Sequence, residues 1–193
     1  MIRISRILFV LVLCWLVAYK ISAQGMSDKM ESNSSSLTKL VADDLMETSK
    51  KVMSLAEAMP AEDYGWRPME GVRSVSEVYV HVAAANYMFL SALGMQMPAN
   101  LKPNSENEDL EKTMTEKTEV MNFLKQSFDD AQKFLAGYTD TDYDATVKLP
   151  FGEFTKAQIL MIEAGHVHEH LGQSIAYART NHVVPPWSMP SSK

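Results

Sequence analysis

Cysteine is almost missing from this 193-residue chain: its one copy, Cys14, sits inside an apolar run near the N-terminus. Beyond that run no thiol remains, which excludes disulfides, cysteine-ligated zinc and a cysteine nucleophile together. Positive charge is also scarce, with 18 Lys and Arg against 24 Asp and Glu for a formal charge of -6, and no basic cluster follows the N-terminus. A nucleic-acid partner needs a basic surface, so that class is excluded. The apolar run itself, residues 7–19, falls short of the ~20 residues that a membrane helix needs.

That run reads instead as part of a secretory signal over residues 1–23. Arg3 and Arg6 form a positive n-region, and Ile21-Ser22-Ala23 precedes Gln24 as a cleavage site. Lys20, between the apolar run and the cut, departs from the usual pattern and keeps an uncleaved anchor as the alternative. Leu13 is too bulky for a lipoprotein box before Cys14. The expectation is an exported protein, periplasmic or secreted, with no stable membrane anchor after signal cleavage. Residues 24–36 are polar and Ser-rich, a flexible lead-in. The chain's length and its hydrophobic fraction of 46% suit one globular domain, expected over residues 37–182, with an irregular tail at 183–193.

Hydrophobic periodicity predicts four helices, hence an all-α four-helix bundle. The first spans residues 37–58, with Leu37, Leu40, Val41, Leu45, Val52 and Leu55 on one stripe and Pro60 closing it. Gly65, Pro68 and Gly71 then interrupt the chain, and Trp66 is placed to plug one end of a bundle. Ser74 and Glu77 have capping-box spacing and start the second helix, which carries Val75, Val78, Val82, Ala85 and Phe89 toward Gly94. A third helix is expected over residues 109–138, its Glu and Lys residues forming a solvated face. After a short stretch that includes an extended-looking Thr146-Val147-Lys148-Leu149 and a turn at residues 150–154, Thr155 and Gln158 cap a fourth helix running to about Asn181.

The fourth helix carries the chemistry. His166 and His170 stand four positions apart, one turn above the other, and continue the inward stripe of Ile159, Ile162, Gln173 and Tyr177. Two imidazoles in a core cost free energy unless each finds a partner, and one cation satisfies both, although hydrogen-bonded core histidines satisfy the same spacing. A tight metal site needs a third ligand. His81, two turns into the second helix beside Ala83, Ala84 and Ala85, is the candidate. His168 falls on the opposite face of its helix and His182 past the helix end, so neither joins the site.

Trp66-Arg67-Pro68, Ser74-Val75, Glu77-Val78 with His81-Val82, and His166-x-x-x-His170-x-Gly172-Gln173 with Tyr177 and Arg179 behind it together resemble the DinB-like (DinB/YfiT) four-helix bundle superfamily. The resemblance covers about residues 37–182. It implies an up-down-down-up bundle with one long crossover. It also implies a divalent ion, zinc or nickel, held by His81, His166 and His170. Relatives often carry a charged or polar residue after the third histidine; here Leu171 fills that place, and nothing is transferred to it.

The resemblance implies a small-molecule substrate or ligand and either of two activities, metal-dependent hydrolysis or thiol transfer from a low-molecular-weight thiol. Export favours the hydrolase, because the usual thiol cofactors are cytosolic, and a metal-holding bundle without turnover is the third reading. A three-histidine site leaves a coordination position open, and a metal there can lower the pKa of bound water toward ~7. Glu77, Glu163 and Glu169 stand near the histidines, where each can orient an imidazole or move a proton; capping or surface charge is their ordinary role. Paired bundles in such families admit a homodimer, but no interface is legible in the sequence.

Overall fold

The computed structural model describes residues 37–102, 107–139 and 142–189. The expected signal segment, the polar lead-in and the last four residues of the tail lie outside them. No described helix is long and apolar enough to cross a membrane.

Helix α1 covers residues 37–58. It buries Val41, Leu45, Val52 and Leu55, and Pro60 ends it because proline cannot continue the hydrogen-bond ladder. A short 3₁₀ turn, Ala61–Asp63, follows. Tyr64 then folds back, donating its hydroxyl to the Ala56 carbonyl at 2.9 Å. Trp66 packs edge-on against Tyr177, with ring centroids 5.3 Å apart.

Helix α2, Val75–Ser91, starts where its capping box dictates. Glu77 N–H donates to Ser74 Oγ at 3.3 Å, and Ser74 N–H to the Glu77 carboxylate at 2.9 Å. This helix is buried on nearly every side, Val78, Val80, Val82, Ala83 and Leu90 among its covered residues, so the other elements pack around it. Its neighbours show how they run. His81 faces His170 while Phe89, two turns on, packs with Ile162, which sets α5 (Lys156–Thr180) antiparallel to α2.

The expected single third helix is two. Helix α3, Glu108–Thr113, stops at an extended Met114, and α4 restarts over Lys117–Gly137. Three local features account for the break. The Thr113 hydroxyl bonds the Asp109 carbonyl and competes with the helix ladder, and Met114 turns into the core. Lys117 donates its ammonium to the Glu57 and Met59 carbonyls at 2.7 and 2.8 Å, serving the last carbonyls of α1. Gln132, far along α4, donates to Ser49 in the middle of α1. Helices α1 and α4 are thus antiparallel.

An all-α chain was expected; a small sheet is present as well. Strands β1 (Thr146–Leu149) and β2 (Gly152–Thr155) pair antiparallel with Val147 opposite Phe154 and Leu149 opposite Gly152. Glycine is favoured at 152, where φ is 156° and a Cβ would lie 3.2 Å from the Phe154 ring. Leu149 inserts into a cluster with Ala85, Phe89 and Ile159, which anchors the hairpin over α2 and α5. Thr155 caps α5 with Gln158 in a second capping box. After α5 the tail forms a 3₁₀ turn, Pro186–Ser188, in which Trp187 stays largely exposed.

Candidate metal centre

His81 from α2 and His166 and His170 from α5 meet at one point. Nε2 of His166 lies 3.1 Å from Nε2 of His81 and 3.1 Å from Nε2 of His170, and one donor atom from each ring falls within 4.8 Å of the others. Tetrahedral coordination with metal–nitrogen bonds of ~2.0–2.1 Å would set donor atoms ~3.3 Å apart, so the spacing fits a single ion.

The tautomers point the same way. Nδ1 of His81 stands 2.8 Å from Glu111 Oε1, and Arg73 holds the same carboxylate through Nε at 2.7 Å. Burial pushes Glu111 up, but the hydrogen bonds from His81 and Arg73 outweigh it and bring the carboxyl below its usual range. An ionised Glu111 only accepts, so His81 Nδ1 carries a proton and the neutral ring has its lone pair on Nε2. Nδ1 of His170 donates to Gln173 Oε1 at 2.8 Å, and the amide is oriented by its own bond to the Tyr177 hydroxyl, which donates to the Arg73 carbonyl. His170 Nε2 is therefore a lone pair too. His166 Nε2, between them, can give a proton to one of these lone pairs but not both. A cation satisfies all three, which is the chemistry of a three-imidazole donor set.

Two of the rings are held as neutral donors. Burial, then the neighbouring His170 and His81, push His166 down to about 3, and burial lowers His170 as well. His166 Nδ1 is buried and has no hydrogen-bond partner among the described residues.

His168 points away from this point to Asp44 and Thr48 on α1, at 2.9 and 3.2 Å. His182 is exposed beyond the end of α5, in a left-handed turn with φ 61°. The three acidic candidates part ways. Glu77 is spent on its cap and on Arg67, 2.8 Å away, and Glu169 is exposed. Glu163 is neither cap nor surface charge: it is fully buried, and burial pushes its carboxyl up to about 8. With its amide turned to donate, Asn86 reaches Glu163 Oε1 at 3.2 Å and the Val82 carbonyl at 3.1 Å.

The residue that sequence reasoning missed is Glu111, taken with the solvated charges of the third helix. It is buried because the break after Thr113 swings α3 across α2, a tertiary event with no signal in the local pattern. Above the imidazoles a cleft of about 460 Å³ opens between α2 and the hairpin, with Arg73, His81, Glu111 and His166 at its polar end.

Four long helices with a part-buried cluster of three histidines, close enough together to hold a metal ion, define a helical bundle with a candidate metal site. The DinB superfamily matches residues 44–174, and the chain belongs to it. Two solved structures, from Bacillus cereus and Enterococcus faecalis, agree on the fold. A DinB-like protein from Bacillus cereus ATCC 10987 superposes with a TM-score of 0.59 at 16% identity, covering 72% of this chain and 89% of that one. A conserved protein from Enterococcus faecalis gives 0.60 at 17% identity, covering 74% and 95%. A mycothiol-dependent maleylpyruvate isomerase gives 0.49 at 16% identity, covering 74% and 59%. No curated protein matches the sequence.

Proposed function

We propose that the chain is an exported metal-dependent hydrolase, acting on a small molecule at a divalent ion, zinc or nickel, held by His81, His166 and His170. The observation that carries this reading is the convergence of three imidazole Nε2 atoms from two antiparallel helices, 3.1 Å apart along two edges. The helix pairings, α4 against α1 and α5 against α2, support the up-down-down-up order of the family. The signal-like residues 1–23 support export.

An ion bound there supplies Lewis acidity, enough to bring the pKa of a water ligand toward ~7. The chain does the rest. Glu111 and Gln173 hold the Nδ1 protons of His81 and His170 and thereby aim their Nε2 lone pairs inward. Arg73 spends Nε and Nη2 on Glu111, which leaves Nη1 to donate to an oxygen that gains negative charge at the polar end of the cleft. In ester hydrolysis the water oxygen bonds the carbonyl carbon, the carbon–oxygen bond to the alcohol breaks, and the water's proton leaves on that alcohol.

The test is turnover of ester and lactone substrates by protein stripped with a chelator and reloaded with zinc or nickel. Hydrolysis should return with the ion and be lost in His166→Ala. Turnover that needs an added thiol would make the chain a transferase instead, and a stoichiometric ion without turnover would leave a metal-holding bundle.

A further inference from the structure

We infer that the cleft over the three imidazoles admits an uncharged molecule with a bulky aliphatic or aromatic body, seated head first with its oxygen-bearing end at the histidines. This rests on the metal-site reading above and adds to it the class of molecule the site accepts.

The walls are the first argument. Ala84, Ala85, Met88 and Phe89 on α2 face Pro150 and Phe151 on the hairpin turn. The two alanines leave the space that larger side chains would fill. The Phe89 ring lies edge-on to His166, with centroids 5.2 Å apart, and edge-on to Phe151 at 6.4 Å. An apolar strip therefore runs without interruption from an imidazole to the mouth, where Phe151 is 58% exposed. A large exposed aromatic at the mouth of a cleft gains by being covered. The volume, about 460 Å³, falls in the range of small-molecule sites.

Charge is the second argument. Arg73 and Glu111, 2.7 Å apart, neutralise each other at the polar end of the cleft. An anionic group on the body of a ligand would lose its water against Met88, Phe89 and Phe151 and meet Glu108, a charge of its own sign, on the wall. Glu108 lines both this cleft and a second groove on the other side of the Arg73–Glu111 pair, whereas Arg67, Glu77 and Lys112 line only the second. The pair separates an apolar compartment from a polar one, and the histidines open on the apolar compartment.

The experiment uses zinc-reloaded protein and a series of straight-chain hydroxamates, from acetohydroxamate to octanohydroxamate, titrated calorimetrically. Affinity should tighten roughly three- to four-fold per methylene over the first several carbons, as expected for burial of each CH₂. Phe151→Ser should weaken octanohydroxamate by about ten-fold while leaving acetohydroxamate and zinc content unchanged. A hydroxamate ending in a carboxylate should bind more weakly than its uncharged equal in length. Equal affinity along the series, or preference for the carboxylate tail, overturns the inference. Zinc content is measured first. A chain that takes up no zinc fails the metal-site reading alone, and alkyl methyl ketones of increasing length then read the cleft on the ion-free chain: length-dependent binding lost in Phe151→Ser supports it, and its absence overturns it.

Discussion

Glu163 shows how much a single buried group can dictate. Its carboxyl is pushed up to about 8 by full burial, whereas an unfolded glutamate titrates at ~4.3. Between those values the folded chain keeps a proton that the unfolded chain releases, so stability falls as pH rises through this window and levels off above it. His166 works in the opposite sense. Its folded pKa of about 3 lies below the unfolded ~6.5, so its contribution is present above pH 6.5 and lost as pH falls. Above pH 6.5 the His166 contribution approaches its plateau while Glu163 still titrates. In chelator-treated protein, urea unfolding at pH 6.5 and 8.5 should therefore show a loss of about 2 kcal/mol that Glu163→Gln abolishes. An identical slope in both proteins would show that the carboxyl is not held protonated. The role of Glu163 was not legible in the sequence, because a glutamate beside histidines on an amphipathic helix looks the same whether it faces water or Asn86.

Elements were legible where their boundaries are written in side chains. The Ser74/Glu77 and Thr155/Gln158 boxes set the starts of α2 and α5, and with them the depth at which His81, His166 and His170 enter the interior. Ser74→Ala removes one of these signals from a buried position. It should cost about 1 kcal/mol in urea unfolding while metal stoichiometry stays the same. A loss within measurement error would show that tertiary packing alone fixes the start of α2. The break between α3 and α4 was not legible, since the apolar period continues across Met114, and the Thr113 bond to the Asp109 carbonyl, the burial of Met114 and the reach of Lys117 to the end of α1 appear only in the folded chain. The hairpin escaped for a different reason. Strands of four residues are too short for alternation to stand out, and their anchor, Leu149, is recognised only from the α2 and α5 residues around it.

At the scale of the whole molecule, the site belongs to no single element. Two antiparallel helices supply its histidines. Helix α3 adds Glu111, the loop before α2 adds Arg73, and the hairpin closes the cleft with Phe151. The three histidines were legible because helical spacing together with the family resemblance places them. Their supports were only partly so: Gln173 falls on the inward stripe, but Glu111 sits on the short α3, whose separation from α4 has no signal in the local pattern. The account rests on an ion joining α2 to α5, and metal content tests it most directly. Elemental analysis of purified full-length protein should find one divalent ion per chain in the wild type and in His168→Ala, whose ring faces Asp44, and none in His166→Ala. Retention of the ion by His166→Ala, or equal loss in both variants, would contradict it.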